Sequence, residues 1–199
     1  MNVLVTGANG FVGSALLKKL ISCRYSVRGV TRKVSPSLRN VELVVIGDIT
    51  ETTDWTGSLA SVDVVVHTAA RVHIMKDSVI DPLENFRAVN TAGTLRLAEQ
   101  AAVSGVKRFV FISSIKVNGE FTGRNVPFKA DDSFIPVDPY GLSKYEAEQG
   151  LLYIAKKTGM DVVIIRPPLV YGPGVKANFA SMVKWVHRGT PLPFGAIHN

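Results

Sequence analysis

Seven residues near the amino terminus, Gly7-Ala8-Asn9-Gly10-Phe11-Val12-Gly13, constrain this chain more than any other stretch. They separate an apolar run, Val3 to Thr6, from Phe11 to Ser22, where Val12, Leu16 and Leu20 recur near helical spacing. Three glycines between a strand and a helix allow a tight turn, close approach of backbone to a ligand and close packing of helix on strand. The first turn of such a helix offers free N–H groups and a partial positive charge, which suit a pyrophosphate. Gly7, Gly10 and Gly13, with Asn9, Phe11 and Val12 between them, are therefore candidate dinucleotide-binding residues. The spacing is GxxGxxG rather than GxGxxG, so the flanking strand and helix carry the assignment.

Further β-branched runs occur at Ser26 to Val30, Val41 to Ile46, Asp63 to His67, Arg108 to Ser113 and Asp161 to Arg166. They lack polar alternation, which predicts strands buried on both faces. Helical patterns fill the gaps at Leu83 to Ser104, with a stop at Ser104-Gly105, and at Tyr140 to Lys157. Alternating strands and helices predict an α/β fold with a doubly wound parallel sheet, Rossmann-like, whose ligands bind at the carboxyl ends of the strands. A length of 199 residues with 46% hydrophobic content supplies a real core and fits one domain, or one plus part of a second. Disordered, collagen-like and disulfide-scaffold classes are excluded.

The formal charge of +7 favours anionic ligands. Its basic residues are scattered without a nucleic-acid motif, so no nucleic-acid partner is expected. Cys23, the single cysteine, lies in an apolar helical pattern and reads as a buried thiol in a reducing compartment. The chain opens without signal-peptide features and has no run approaching a membrane span, which predicts a cytoplasmic protein with no membrane partner.

Strand ends supply the next candidates. After the second run, where an acid commonly grips the adenosine ribose, the chain reads Thr31-Arg32-Lys33. Arg32 suits a 2′-phosphate and predicts NADP, with NAD the alternative if these cations are merely solvated. Asp48, with Ile49, follows the third run and could accept from adenine or cap a turn. Thr68, Ala69 and Ala70, small residues after His67, would let a cofactor lie against backbone.

Tyr140 and Lys144 stand at i and i+4 in Tyr140-Gly141-Leu142-Ser143-Lys144, on one face of a helix. An ammonium beside the phenol would lower its pKa. Ser113 and Ser114, at the end of the fifth run, offer a hydroxyl to orient a substrate oxygen.

In order, the stretches VLVTGANGFVG, GDI, HTAA, AVNTAGT, FVFISS, DPYGLSK and RPPLVYGPG resemble those of the extended short-chain dehydrogenase/reductases, in their nucleotide-sugar epimerase/dehydratase group. The resemblance runs through essentially the whole chain. It implies a dinucleotide-binding domain over 1–166 and the start of a smaller substrate domain over 167–199, with a helix at Ala177 to Arg188. It implies an NAD(P) cofactor, Tyr140 as acid/base, Lys144 on the nicotinamide ribose and Ser114 on the reacting oxygen. Ser114 rather than Ser113 stands four residues before the aromatic position of the VYG-like segment, here Asn118 in Val117-Asn118-Gly119. Asn90 and Pro167 fall at further cofactor positions; a hydrogen-bonding helix interior is the alternative for Asn90. Asn178 falls where relatives contact the diphosphate, or caps a helix. A homodimer through a four-helix bundle of Leu83 to Ser104 and Tyr140 to Lys157 is also implied, with a nucleotide-sugar substrate and no metal.

Two departures bear on the reaction. Asn118 replaces the usual tyrosine and Lys116 faces the site, so both join Ser114 and Asn178 as candidate substrate-binding residues. Sugar 4,6-dehydratases place an Asp and a Glu after the catalytic Ser or Thr, where this chain has Ile115 and Lys116, and Glu120 lies beyond the turn at Gly119. The expectation is 4-keto reduction or C4 epimerisation without dehydration. A nonenzymatic NAD(P)-sensing module and a reductase of a small non-sugar carbonyl compound are the alternatives. Family members run well beyond this length, so the chain is expected to be a fragment that binds dinucleotide but turns over little sugar.

Overall fold

The computed structural model describes all residues except 35–40, 73–80, 124, 133, 176, 190 and 192–199, with the backbone but not the side chains of Ala177 and Asn178. Six strands, β1 (Asn2–Thr6), β2 (Ser26–Thr31), β3 (Glu42–Val45), β4 (Val64–His67), β5 (Arg108–Ile112) and β6 (Asp161–Ile165), form one sheet in the order β3-β2-β1-β4-β5-β6. Every neighbouring pair is parallel. The chain winds outward from β1 in one direction and from β4 in the other. A crevice therefore opens above the carboxyl ends of these two central strands.

Parallel strands need crossovers, and the helices that provide them cover both faces. On one face Leu4, Val65, Phe109 and Phe111 pack with Trp55, Leu97, Ala101 and Leu151. The other face sets Val3 and Val5 against Leu17 of α1 (Phe11–Ser22). Burial on both faces holds for the centre of the sheet only. At the two ends of the order, β3 and β6 each expose residues, with Val45 48%, Val163 37% and Ile165 45% exposed. An apolar run in a parallel strand looks the same in sequence at the centre and at the edge, which is why the pattern missed this difference.

The helical stretch expected over Leu83 to Ser104 is three pieces: α3 (Pro82–Phe86), a π-helical segment (Arg87–Gly93) and α4 (Thr94–Val103). It ends as expected at Ser104, followed by Gly105 at φ +79°. A short helix, α2 (Thr56–Leu59), escaped the sequence reading; one turn is too short to show a period. The long helix α5 (Pro139–Thr158) begins at Asp138, whose side chain accepts from Gly141 N, and stops at Gly159 in the left-handed region. The last helix, α6 (Ala177–His187), includes the backbone of Asn178.

Cys23 is exposed, against the expectation of a buried thiol. Helix α1 ends at Ser22, so Cys23 falls in the turn to β2 and leaves the apolar face of the helix. Among the described residues no helix is long and apolar enough to cross a membrane.

Candidate active site

The glycine loop works as its spacing suggests. Gly7 sits at φ +64°, and a side chain on Gly13 would collide with the Gly7 carbonyl, so strand and helix meet backbone to backbone. Helix α1 starts at Gly10 with no side-chain cap and no acid in its first turn. By contrast, α3 and α5 are capped by Asp81 and Asp138. The amino end of α1 thus keeps N–H groups and its partial positive charge for an anion.

Those N–H groups border a cleft of about 580 Å³ at the sheet crevice, lined by Gly7, Asn9, Gly10, Thr31, Arg32, Asp48, Ile49, Thr68, Ala69 and Ala70. Nine of the expected cofactor residues, all of these but Thr31, thereby line one cleft. The sequence reading missed Arg71, Val72, Asn85, Ala88 and Val89, which close the cleft from the loop after β4 and from the helical segment beyond it. None of the five belongs to a motif of distinctive spacing, so no signal pointed to them. Phe11, Val12 and Gly13 stand in the first turn of α1, behind the loop. Arg32 and Asp48 share the cleft rim, their charged atoms 3.6 Å apart and both side chains largely exposed.

Asn90 does not line the cleft. It is buried in the π-helical segment, accepts from Arg71 N at 2.8 Å, and donates to Arg71 O at 3.0 Å and Ser143 Oγ at 3.1 Å. Beside it, Thr91 donates to the Ser143 carbonyl. The two residues fasten the cleft wall to α5.

Helix α5 presents Tyr140 and Lys144 toward the end of β5. The Ser114 side chain faces the Tyr140 phenol, and Phe86 meets the ring edge-on at 5.9 Å. Burial raises the phenol pKa above its usual value; the Ser114 bond and the Lys116 charge oppose that rise. The expected lowering by Lys144 is absent here. Its ammonium is drawn to the Ile112 carbonyl at 3.0 Å and lies 4.5 Å from the centre of the Phe111 ring. Burial pulls the Lys144 pKa down to about 7, against the opposing charge of Glu148.

Lys116, by contrast, is half-exposed, with Nζ 3.1 Å from Glu120 and 3.6 Å from Asp138. Glu120, beyond the turn at Gly119, pairs with Lys116 at the surface. Asn118 also departs from expectation. It is 7% exposed, its carbonyl accepts from Arg166, and its amide donates to Lys129 O at 2.6 Å. With both ends engaged, Asn118 holds the following loop in place rather than facing a substrate. Pro167 accepts from Ile115 N at 3.1 Å through its carbonyl, bracing the turn after Ser114. The Asn178 side chain lies outside the described residues.

Behind Tyr140 and Lys144, His67 is fully enclosed. Its Nδ1 is 2.7 Å from Thr6 Oγ1, its Nε2 is 3.0 Å from Thr94 Oγ1, and its ring stacks on Phe111. Burial, then the Lys144 charge, holds its pKa down to about 3. The unfolded chain binds a proton near pH 6.5 that the folded chain refuses, so stability is whole above that pH and falls as pH drops toward 3. Denaturant titrations from pH 7 to 4 should show a decline reaching about 1.4 kcal/mol per pH unit for this one proton. His67→Gln should flatten it; an unchanged slope in that variant would assign the decline to other groups.

A family profile described as the NAD dependent epimerase/dehydratase family matches residues 3–195. A UDP-glucose 4-epimerase of Vibrio cholerae is 53% identical over 197 residues, covering 98% of this chain and 60% of that protein. A 3-beta-hydroxysteroid dehydrogenase of Mycolicibacterium neoaurum is 32% identical over 200 residues, covering 94% of this chain and 52% of that protein. Among solved structures, the UDP-glucuronic acid 4-epimerase of Bacillus cereus in complex with NAD superposes with a TM-score of 0.78 at 30% identity, covering 96% of this chain and 65% of that one. The chain thus spans about 60% of the length of the Vibrio relative. With the parallel sheet, the uncapped helix at the glycine loop and the profile match in agreement, the chain belongs to the NAD-dependent epimerase/dehydratase family.

Proposed function

We propose that this chain is the cofactor-binding and catalytic portion of an enzyme that epimerises a nucleotide sugar at C4 or reduces its 4-keto form. The observation that carries the reading is the Tyr140 phenol facing the Ser114 side chain at the strand ends, with the buried Lys144 one turn on and a cleft headed by a free helix amino terminus. The similarity to UDP-sugar 4-epimerases supports the substrate class.

The residues fit a dinucleotide. The first turn of α1 would take the pyrophosphate, the small residues Thr68 to Ala70 would lie along it, and Lys144 would donate to the nicotinamide ribose. When bound, the nicotinamide supplies a hydride acceptor and donor. Tyr140 acts as the base that removes the proton from the sugar hydroxyl and returns it, while Ser114 holds the same oxygen. A phenol whose pKa burial has raised needs nearby positive charge to ionise, and Lys116 is the side-chain cation that acts on it here. Ile115 has no proton to transfer. Lys116 is ion-paired where a dehydratase would place a carboxylate, so loss of water is not part of this reading. The carboxylates that do approach, Glu120 and Asp138, are held by Lys116 and by the α5 cap.

Tyr140→Phe should lower turnover by about 10²–10⁴-fold while leaving dinucleotide affinity within a few-fold, since the lost group acts in the transition state. Product mass then decides the reaction. A mass-neutral epimer or a change of two hydrogens supports the proposal, and a sugar lighter by one water overturns it.

For the dinucleotide, Arg32 is the candidate 2′-phosphate partner and NADP the proposed form, with NAD the alternative. Asp48 at 3.6 Å opposes that choice by offsetting the guanidinium charge. Fluorescence titration should find that Arg32→Ala weakens NADP binding and spares NAD. Equal loss for both, or tighter NAD binding by the unaltered protein, would remove the assignment.

The outer faces of α4 and α5 carry exposed Val103, Leu152 and Tyr153. Paired across a two-fold axis, these helices would form a four-helix bundle, and we propose a homodimer on that surface. Light scattering at micromolar concentration should give twice the monomer mass, and Tyr153→Glu should halve it; a monomeric parent protein would count against the assembly.

A further inference from the structure

One buried titratable side chain, His67, takes no part in the chemistry proposed above. It ends β4 and directs each ring nitrogen at the hydroxyl of a buried threonine, Thr6 at the end of β1 and Thr94 at the start of α4. Phe111 stacks on the ring at 5.9 Å and Phe109 lies tilted at 6.0 Å, which fixes its plane. A neutral imidazole has one donor and one acceptor, and a hydroxyl can serve as either, so both nitrogens are satisfied in either tautomer.

Thr6 carries the arrangement onward to the cleft. Its Oγ1 is 2.7 Å from His67 Nδ1 and accepts from Ala69 N at 3.2 Å, while its carbonyl accepts from Thr68 Oγ1 at 2.6 Å. Thr68 and Ala69 both line the cleft. With the Ala69 N–H turned in toward Thr6, the Thr68 carbonyl of the same planar trans peptide points the opposite way. Thr68 Oγ1 also lies where a side chain on Gly13 would come within 2.8 Å of it and one on Gly7 within 3.0 Å, so the strip is seated directly on the glycine loop. Rotation about χ1 would carry the Thr6 hydroxyl to another staggered position. The imidazole is the side-chain partner that favours the present one, in which Ala69 N is also served.

We propose that His67 is a positioning residue for the dinucleotide cleft, which by holding the Thr6 hydroxyl fixes the Thr68–Ala69 peptide, and with it the strip Thr68 to Ala70, against the glycine loop. The inference rests on the reading of this cleft as a dinucleotide site. Without the imidazole, Thr6 loses the partner that sets its rotamer, and Ala69 N loses a fixed acceptor. A ligand then has to order the strip as it binds, at a cost in affinity. The other side of the ring meets Thr94, which does not line the cleft.

Amide exchange followed by NMR in the ligand-free protein tests the link directly, and calorimetric titration with NAD and with NADP tests its consequence. His67→Asn keeps a polar atom near the position of Nδ1, and His67→Gln keeps one near that of Nε2. His67→Gln and Thr6→Val should each speed Ala69 exchange by about tenfold relative to Leu4 in the core of β1, and weaken both dinucleotides by about tenfold. The double variant should lose no more than the worse single one, because both changes break the same link. His67→Asn should stay within about threefold of the unaltered protein. Thr94→Val should lower thermal stability and leave Ala69 exchange relative to Leu4, and dinucleotide affinity, unchanged. Losses that multiply in the double variant, equal losses in His67→Asn and His67→Gln, or Ala69 exchange that rises only in step with Leu4 would overturn the proposal. Should the His67 variants fail to fold, Thr6→Val against Thr94→Val carries the same expectation, with affinity lost in the first alone. An unaltered protein that bound neither dinucleotide would remove the reading of the cleft and this inference with it, whereas binding with Ala69 exchange unmoved by His67→Gln overturns this inference alone.

Discussion

A lysine ammonium is buried at the end of β5, and much of the surrounding structure is arranged around it. Removing such a group from water costs on the order of several kcal/mol unless other groups compensate. Here a carbonyl, an aromatic face and a carboxylate one turn away do so in part. The carboxylate in turn requires Arg166, whose remaining donors fix Asn118 and Ala130. Through Asn118 and Pro167, this network braces the turn that follows Ser114. Neutral His67, locked between Thr6 and Thr94, completes the enclosure without adding a second cation.

The cleft and α5 are mechanically joined. Asn90 bonds both backbone groups of Arg71, in the cleft wall, and the hydroxyl of Ser143, which itself donates to the Tyr140 carbonyl. These bonds pass through a π-helical segment, where a widened turn re-aims side chains relative to an ordinary helix. The segment sits between the cleft and α5, so a group that orders the Arg71 loop acts on a wall already tied to the tyrosine. The uncapped start of α1 is the complementary feature: donors are left open where an anion would sit, while the Asp-capped helices close theirs.

Much of the fold was legible because parallel strands and their crossovers leave a simple alternation of apolar runs and helical periods. The ends of α1 matched its pattern, and the Ser104-Gly105 stop was marked by a glycine that the left-handed backbone requires. Strand edges were not legible, since Val163 and Ile165 resemble core residues in sequence and only the sheet order exposes them. Cys23 was misjudged because the helix ended one residue before it. In the site, the residues of the glycine loop and the strand ends were readable from spacing. The engagement of Asn118 was not, as its partners Arg166 and Lys129 come from residues distant in the chain.

By itself the sequence determined the strand–helix alternation, the glycine turn and the i, i+4 placement of Tyr140 and Lys144, because backbone sterics and helical periodicity act over a few residues. The tertiary structure alone decided which cation meets the phenol, which polar side chains remain open to a ligand, and which are consumed in holding loops. Those outcomes depend on burial and on partners brought together from far along the chain, as Arg166 is with Glu148 and Asn118. Electrostatic strength varies with that burial, so local spacing could place the charges along α5 without deciding what they face.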